Sequence, residues 1–326
     1  MTTPRVRTVA CLSGVSLERN VPSEEIHEYL KERDNLVWVD VQDPGPAELA
    51  MLQEEFGFHP LALDDIAKGH ERPKVDEYKG HLFAVMYGVL DGAVTEAVRT
   101  VEIDLFIGRN FVVSVHRERF PALDDALTRW MRGGAMLKEG VGFLVYTLVD
   151  AVIDTYAPVL DAIENDVEET ELALFSPTRT DGVQALVKLK RTLIRLRRVL
   201  YPLRETFQIF LRPDHAYFAP GTRVYFQDVY QHILRILDGM DVERDLVSAA
   251  LDANLTLVSH QLNQTMRTLT VLTIAVGTLS AVFGAWGMNV GGLPAADTEW
   301  GFVVIVLGTV LLTGGLLVVA RRRGWM

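Results

Sequence analysis

The sequence predicts an α/β N-terminal cytoplasmic domain, followed by a helical stalk and two C-terminal transmembrane helices. Three observations support this fold class. Strand-like runs alternate with helix-start signals up to about residue 135. Between residues 225 and 276 there is no proline and a single glycine, Gly239, which predicts one very long helix. Residues 268–286 and 302–320 are apolar runs without a charged residue, each long enough to cross a bilayer.

Residues 1–135 are expected to form the α/β domain. Proline at the start of apolar helical patterns, as at Pro46 and Pro60, predicts helix beginnings between the strands. The strand-like runs are residues 6–12, 35–41, 81–90, 98–107 and 111–116. No metal site is expected among the histidines of this region, because no pair has helical ligand spacing: His59, His70, His81 and His116.

Residues 136–224 are expected to form a cytoplasmic helical hairpin. From about Gly140 the apolar residues recur with a helical period, and residues 141–175 predict one acidic helix. Residues 183–210 predict a basic helix that runs antiparallel to the acidic one. Charges on such helices are usually solvated and paired, so we assign them no further function.

Residues 225–286 are expected to form one stalk helix that continues into the first membrane span. At 1.5 Å per residue this helix would be roughly 90 Å long. A helix of that length needs packing partners, which predicts an oligomeric bundle.

The two apolar runs predict a membrane hairpin, with residues 287–301 as the loop and residues 321–326 as a basic tail. Arg267 precedes the first span and three arginines follow the second, whereas the loop carries only acidic charges. By the positive-inside rule, both ends of the hairpin lie in the cytoplasm and the loop lies outside. We therefore expect a multi-pass protein of the cell (inner) membrane.

One face of the first span carries small or polar residues, and the opposite face carries bulky apolar ones. Such stripes are common where membrane helices touch, and the alternative is a pore lined by this face. One hairpin cannot enclose a channel, so a pore would require several copies around an axis. The striped face comprises Asn263, Met266, Thr270, Thr273, Gly277, Ser280, Gly284 and Gly287.

Charge and motif content argue against several classes of protein. The net charge of −11 disfavours nucleic-acid binding and suits the attraction of cations. The single cysteine, Cys11, fits a reducing compartment. We find no phosphate-binding glycine-rich loop and no nucleophile constellation, so neither an ATP-driven pump, an enzyme nor a bound cofactor is expected.

The tripeptide Gly287, Met288 and Asn289 ends the first C-terminal span, after a large acidic soluble region. In this position it resembles the filter sequence of the CorA family of magnesium and cobalt channels. The resemblance implies a homopentamer whose selectivity filter is this tripeptide. It extends to most of the chain through segments 59–62, 72–74 and 196–204.

The resemblance also implies roles along the long helix. Met266 and Leu269 would form an apolar constriction that gates by dewetting. The family senses cytoplasmic magnesium at carboxylates between subunits. Asp228 matches one such position and Asp91 is its candidate partner, although for Asp228 taken alone a solvated stalk carboxylate is the favoured interpretation. The other pore-lining positions are expected to be Asp252, Asn263, Thr273, Gly277 and Ser280.

An asparagine ring at position 289 suits a hydrated magnesium ion. Magnesium releases its water reluctantly, and amide groups can hydrogen-bond that water shell without stripping it. Neutral amide oxygens also hold the ion loosely enough for it to leave, as conduction requires. The residues alone leave a second interpretation open, in which Asn289 caps the helix end.

The loop after the tripeptide departs from the magnesium-type pattern. Residues 290–295 lack the acidic residue that usually follows the proline, and they look more like the zinc-transporting branch, although Asp297 or Glu299 could substitute. We expect a passive, potential-driven influx channel for hydrated divalent cations (Mg²⁺, with Co²⁺ or Ni²⁺), closed by cytoplasmic divalent cation. The alternatives are a zinc transporter of the same superfamily, with or without proton coupling, and a non-conducting membrane-anchored scaffold or sensor.

Overall fold

The computed structural model describes residues 5–90, 98–174, 182–212, 217–288 and 298–325. The chain divides into two compact units, Met1–Ala249 and Ala250–Met326. The first unit contains a β-sheet and the helices around it. The second contains the C-terminal part of the longest helix and the last helix.

Within the described residues, the first unit is built on a seven-stranded mixed sheet. The strands lie in the order β2-β1-β3-β7-β6-β5-β4. Strands β3 and β7 are parallel, and the other neighbouring pairs are antiparallel. The predicted α/β domain is thereby confirmed. The strands are β1 Val6–Leu12, β2 Ser16–Arg19, β3 Leu36–Gln42, β4 Lys74–Tyr78, β5 His81–Leu90, β6 Arg99–Ile107 and β7 Phe111–His116.

The central strands are buried along nearly their whole length, because helices cover both faces of the sheet. On one face, the ring of Phe58 stacks on that of Phe106 with centroids 3.8 Å apart, beneath α2 and α3. On the other, Trp130 meets Trp38 edge to face at 6.2 Å. The helices of this part are α1 Ile26–Lys31, α2 Pro46–Phe56, α3 Pro60–Lys68 and α4 Pro121–Met131.

The stretch predicted as one acidic helix is two helices, α5 Val141–Asp154 and α6 Ala157–Leu174, and that prediction was wrong. The break lies at Thr155 and Tyr156, whose side chains bond to the backbone of β5. The Thr155 hydroxyl accepts a hydrogen bond from the Val89 amide at 2.9 Å, and the Tyr156 hydroxyl donates to the Tyr87 carbonyl at 2.7 Å. Pro158 is a local stop signal that the sequence analysis overlooked, because a proline in a helix interior removes a backbone hydrogen bond and clashes with the preceding turn. The contacts of Thr155 and Tyr156 then fix the break against β5.

The basic helix α7 is Gly182–Phe207, and the predicted long helix is present as α8 Arg223–Trp286, 64 residues without interruption. The last helix, α9, is Glu299–Arg322. In the first unit, α8 buries an apolar stripe at helical spacing that packs against the rest of the unit. This stripe comprises Phe226, Val229, Ile233, Ile236, Leu237, Met240 and Val247.

A charged network lies between the two parallel strands β3 and β7. Asp40 pairs in register with Ser114 and accepts a hydrogen bond from its hydroxyl at 2.6 Å. The same oxygen lies 3.2 Å from Nε2 of His116, and the other carboxylate oxygen accepts from Nε of Arg7 at 3.1 Å. Burial alone would raise the pKa of Asp40, but the bond to His116 and the nearby Arg7 lower it overall. The network therefore holds an ionised carboxylate inside the domain.

Candidate functional site

The face of α8 predicted to line a pore is exposed in the single chain. Met266 and Leu269 are 63% and 59% exposed, although both are large apolar side chains in an apolar helix. Exposed apolar side chains in a membrane segment meet either lipid or another protein surface. The other predicted pore-lining residues are exposed as well: Asp252, Asn263, Thr273, Gly277 and Ser280.

The opposite face of α8 packs inside the second unit. Val271 and Ala275 are buried, one helical turn apart. Val271 lines a cavity of about 280 Å³ together with Leu312 and Leu316 of α9. The Thr268 hydroxyl also donates to the Trp325 carbonyl at 3.3 Å. Helix α9 thus covers Val271 and Ala275, and it leaves the small and polar side uncovered together with apolar side chains such as that of Val276.

Two glycines on the uncovered side are not explained by contacts within the chain. A Cβ atom added at Gly277 or Gly284 would meet nothing within 4 Å. Glycine in a helix interior costs about 0.5–1 kcal/mol relative to alanine, so it is usually retained where another backbone approaches closely. The exposed stripe therefore has the composition of a surface that contacts another subunit or lines a pore, and neither partner is part of the single chain.

The predicted filter begins where α8 ends. Helix α8 ends at Trp286, and the amide of Gly287 still donates to the Phe283 carbonyl at 2.9 Å. Met288 follows with 60% of its surface exposed. Asn289 lies outside the described residues, as does Asp297, so the filter and its acidic loop remain predictions.

Asp228 lies exposed on α8, beside a group of charged side chains in the first unit. His232 follows one turn later, and α5 contributes Asp150 and Asp154. One ligand atom each from Asp150, Asp154 and His232 lie within 4.8 Å of one another. This arrangement has the ligand types of a metal site, although Arg129 already neutralises part of its charge.

The electrostatics of this group reflect crowded carboxylates. Arg129 lies 2.6 Å from Asp150 and 3.5 Å from Asp154, and His232 lies 3.5 Å from Asp154. Burial, and then the charge of Asp154, raise the pKa of Asp150. Burial, and then Asp150 and Asp228, raise the pKa of the Tyr146 hydroxyl on α5. Asp228 therefore shares its surroundings with the two α5 carboxylates.

The sequence analysis identified Asp228 but missed its neighbours. Its proposed partner, Asp91, lies outside the described residues. What the structure places near Asp228 instead is a pair of aspartates on α5. A signal was available, because Asp150 and Asp154 are spaced i, i+4, as are Asp228 and His232, and each pair therefore shares one helix face.

The two apolar C-terminal helices define this chain as a membrane protein. In the part of the chain that the structure describes, three helical segments are long and apolar enough to cross a membrane: Val141–Leu172, Pro220–Trp286 and Trp300–Arg322. The apolar window of the first is 61% buried within the chain, against 11% for each of the others. Residues 33–322 match the CorA-like Mg²⁺ transporter family, and the chain belongs to that family. It is accordingly a CorA-family divalent-cation transporter.

Similar proteins support this assignment along the whole chain. YfjQ of Bacillus subtilis is 31% identical over 324 residues, which cover 98% of both chains. The cobalt/magnesium transport protein CorA of Thermotoga maritima is 27% identical, covering 94% of this chain and 89% of its own. The zinc transport protein ZntB of Cronobacter sakazakii is 26% identical, covering 90% and 89%. The structure of the CorA magnesium transporter of Methanocaldococcus jannaschii covers 100% of both chains, with a TM-score of 0.84 at 22% identity.

Proposed function

We propose that this protein is a homopentameric channel that admits hydrated divalent cations, chiefly Mg²⁺, into the cytoplasm. The observation that carries the proposal is the uncovered stripe of small and polar residues on α8, which ends at Gly287, Met288 and Asn289. Five copies with this stripe turned inward would enclose a pore and would supply the missing partner for Gly277 and Gly284. The spans would then be oriented with both ends in the cytoplasm, as the flanking arginines favour.

Two parts of that pore would act on the ion in different ways. A ring of Asn289 amides would hydrogen-bond the water shell of the entering ion at the outer mouth. Met266 lies on the stripe and Leu269 beside it; both are exposed, and they would form an apolar ring further along that opens and closes by wetting. The remaining polar positions of the stripe would keep the ion hydrated between these points.

The charged group around Asp228 supports a role in closing the channel. Cytoplasmic Mg²⁺ prefers carboxylate oxygens, and Asp228 lies one helical turn before His232, whose ring is close to Asp150 and Asp154. A cation held there between neighbouring subunits would shift the channel towards the closed state by its higher affinity for that state. Cytoplasmic Mg²⁺ would thus limit its own entry.

Replacing Asp228 with lysine is expected to protect the channel from protease in the absence of Mg²⁺. The lysine ammonium places a fixed positive charge where the bound cation would sit, so the closed form no longer needs the ion. The measurement is a limited-proteolysis time course of purified protein with and without Mg²⁺. Asp238→Lys makes the same charge change at another exposed position of α8 and should leave the Mg²⁺ dependence intact. Cleavage of the Asp228 variant at the rate of magnesium-free wild type would contradict the proposal.

A second candidate function is proton-coupled zinc transport. Residues 290–295 lack the acidic residue of magnesium-type members, and zinc transport proteins of the ZntB type are similar along most of the chain. No histidine or cysteine lies on the α8 stripe, however, and these are the ligands expected for a dehydrated zinc ion. The stripe therefore favours a hydrated ion.

Imposed voltage alone is expected to drive uptake of Mg²⁺ into proteoliposomes. One charge that crosses 100 mV gains ~2.3 kcal/mol, so a divalent cation gains ~4.6 kcal/mol. At ~1.4 kcal/mol per decade this supports roughly a thousandfold accumulation. The experiment sets a potassium–valinomycin potential without a pH gradient and measures Mg²⁺ and Zn²⁺ separately. Uptake of Zn²⁺ that follows a pH step and ignores the voltage would favour the second candidate, and no flux of either ion would favour a scaffold or sensor.

A further inference from the structure

A cavity of about 270 Å³ lies in the first unit, where the end of α3 meets strands β5, β6 and β7. Its walls include Tyr87 of β5, Glu102 and Asp104 of β6, and Arg117 just after β7. Glu102 and Asp104 are two residues apart on one strand, so both side chains project from the same face of the sheet. The cavity shares no residue with the α8 stripe or with the group around Asp228.

Asp104 is the unusual member of this cavity. It is only 6% exposed, and its Oδ1 atom accepts no hydrogen bond from the residues that the structure describes. Burial, and then the charges of Glu102 and Asp65, raise the pKa of Asp104 well above its usual range. Buried polar atoms are nearly always hydrogen-bonded, and a buried carboxyl without a partner indicates a ligand or another function at that point.

The other polar groups of the wall are already engaged. Nη2 of Arg117 donates to the carbonyls of Ile66 and Ala67, at 3.1 and 2.6 Å, where α3 ends. The Glu102 carboxylate accepts hydrogen bonds from the His70 amide and, at 3.0 Å, from the Tyr87 hydroxyl. The positive charge of Arg117 is therefore held by helix carbonyls, whereas the buried Asp104 carboxyl has no partner among the described residues for the charge that it carries when ionised. A ligand that completes this site brings positive charge.

We propose that this cavity binds one hydrated divalent cation between Asp104 and Glu102. Ions of the Mg²⁺ type prefer oxygen ligands, and they keep several waters when one or two carboxylates hold them. Six waters at their liquid volume occupy roughly 180 Å³, which the cavity accommodates. All the residues belong to one chain, so this site does not require subunit assembly. It extends beyond the proposed channel function and does not depend on it.

The bound ion would act on the turn that follows α3. Glu102 already accepts hydrogen bonds from the backbone amides of His70 and Glu71. A cation that fixes the Glu102 carboxylate would also fix these amides, and binding would slow the exchange of their hydrogens with solvent. Hydrogen exchange in this turn and in β6 is thus a local readout of the site.

The test measures hydrogen exchange by mass spectrometry on the full-length protein in detergent, with and without Mg²⁺. In the wild type, peptides that cover residues 69–71 and 100–105 should exchange about tenfold more slowly once Mg²⁺ exceeds its dissociation constant about tenfold. Asp104→Asn keeps the shape of the side chain and removes its charge, so the slowing should disappear. Asp76→Asn changes a β4 carboxylate that lies 3.3 Å from Lys74 and outside the cavity, and it should respond like wild type.

Further variants separate this site from others and guard against misfolding. Asp228→Asn should retain the slowing, because the group around Asp228 is a different site. If Asp104→Asn does not fold, Glu102→Gln serves instead and should raise the Mg²⁺ concentration required by about tenfold. An unchanged wild-type profile with Mg²⁺, or slowing that persists in both cavity variants, would overturn the proposal. Either result leaves the voltage-driven uptake experiment unaffected.

Discussion

Replacing Asn289 with alanine is expected to abolish saturable Mg²⁺ uptake and to reduce flux to that of protein-free liposomes. The methyl group of alanine can neither donate nor accept a hydrogen bond, so the ring at the pore mouth would no longer bind the ion's water shell. Hydrated Mg²⁺ would then enter only at the rate of unassisted diffusion. The measurement is initial uptake against Mg²⁺ concentration in proteoliposomes.

The controls for this variant have to distinguish loss of ion binding at the filter from loss of the oligomer. The variant should elute at the size of the wild-type oligomer, because a residue after the end of α8 contributes little to packing of the helix. Asn254→Ala makes the same chemical change on α8 at a half-buried position off the predicted stripe, and it should transport normally. Saturable uptake by an assembled Asn289 variant would show that the filter lies elsewhere.

Replacing Asp40 with alanine is expected to destabilise the first unit by about 3–5 kcal/mol. The change leaves the buried His116 without its carboxylate and removes one of the two carboxylates that pair with Arg7, the other being Asp124. The measurement is the thermal unfolding midpoint of the full-length protein in detergent. Asp64→Ala is the matched control, because that carboxylate is 50% exposed and its ion pair with Lys68 contributes at most about 1 kcal/mol. Equal midpoints for the two variants would contradict the assignment.

The same network predicts a pH dependence. Burial alone would lower the pKa of His116, but its bond to Asp40 raises that pKa above the ordinary value of 6.5. The stability that the His116–Asp40 pair adds through His116 is therefore fully present below pH 6.5, and it is lost as pH rises through the raised pKa. The pKa of Asp40 is lowered from 3.8, so the stability that ionised Asp40 adds is present above pH 3.8 and is lost as pH falls through the lowered pKa. The difference in unfolding midpoint between wild type and Asp40→Ala should therefore be largest between about pH 3.8 and pH 6.5, and it should shrink above about pH 6.5.

The strands that the sequence predicts correctly are those whose own residues form an apolar run between turn residues. Residues 6–12, 81–90 and 111–116 are apolar runs bounded by turn residues, and they coincide with β1, β5 and β7. Strands β2 and β4 were missed because they are short and largely polar. Both lie at the edges of the sheet, where polar side chains are favoured and where pairing depends on the neighbouring strand rather than on the strand's own sequence.

The long helix was predictable for a similar reason, since an absence of helix breakers is visible in the sequence alone. The spacing of Asp150 and Asp154 is visible in the sequence, but their proximity to Asp228 is not, because it arises only when α5 packs against α8. The orphaned Asp104 carboxyl was equally invisible, because an acidic residue in a strand is ordinary until its burial is known. Asn289 and Asp91 lie outside the described residues, so their roles remain predictions of the resemblance.

The apolar segment Val141–Leu172 has a consequence for how the chain is made. It leaves the ribosome before either C-terminal span and is long and apolar enough to be taken for one. Insertion at that point would place part of the first unit on the wrong side of the bilayer. Every described strand of the sheet ends by His116, so a docking surface for α5 is complete before α5 is synthesised. Early folding of the sheet therefore conceals a false insertion signal, and slowing it is expected to yield misinserted chains.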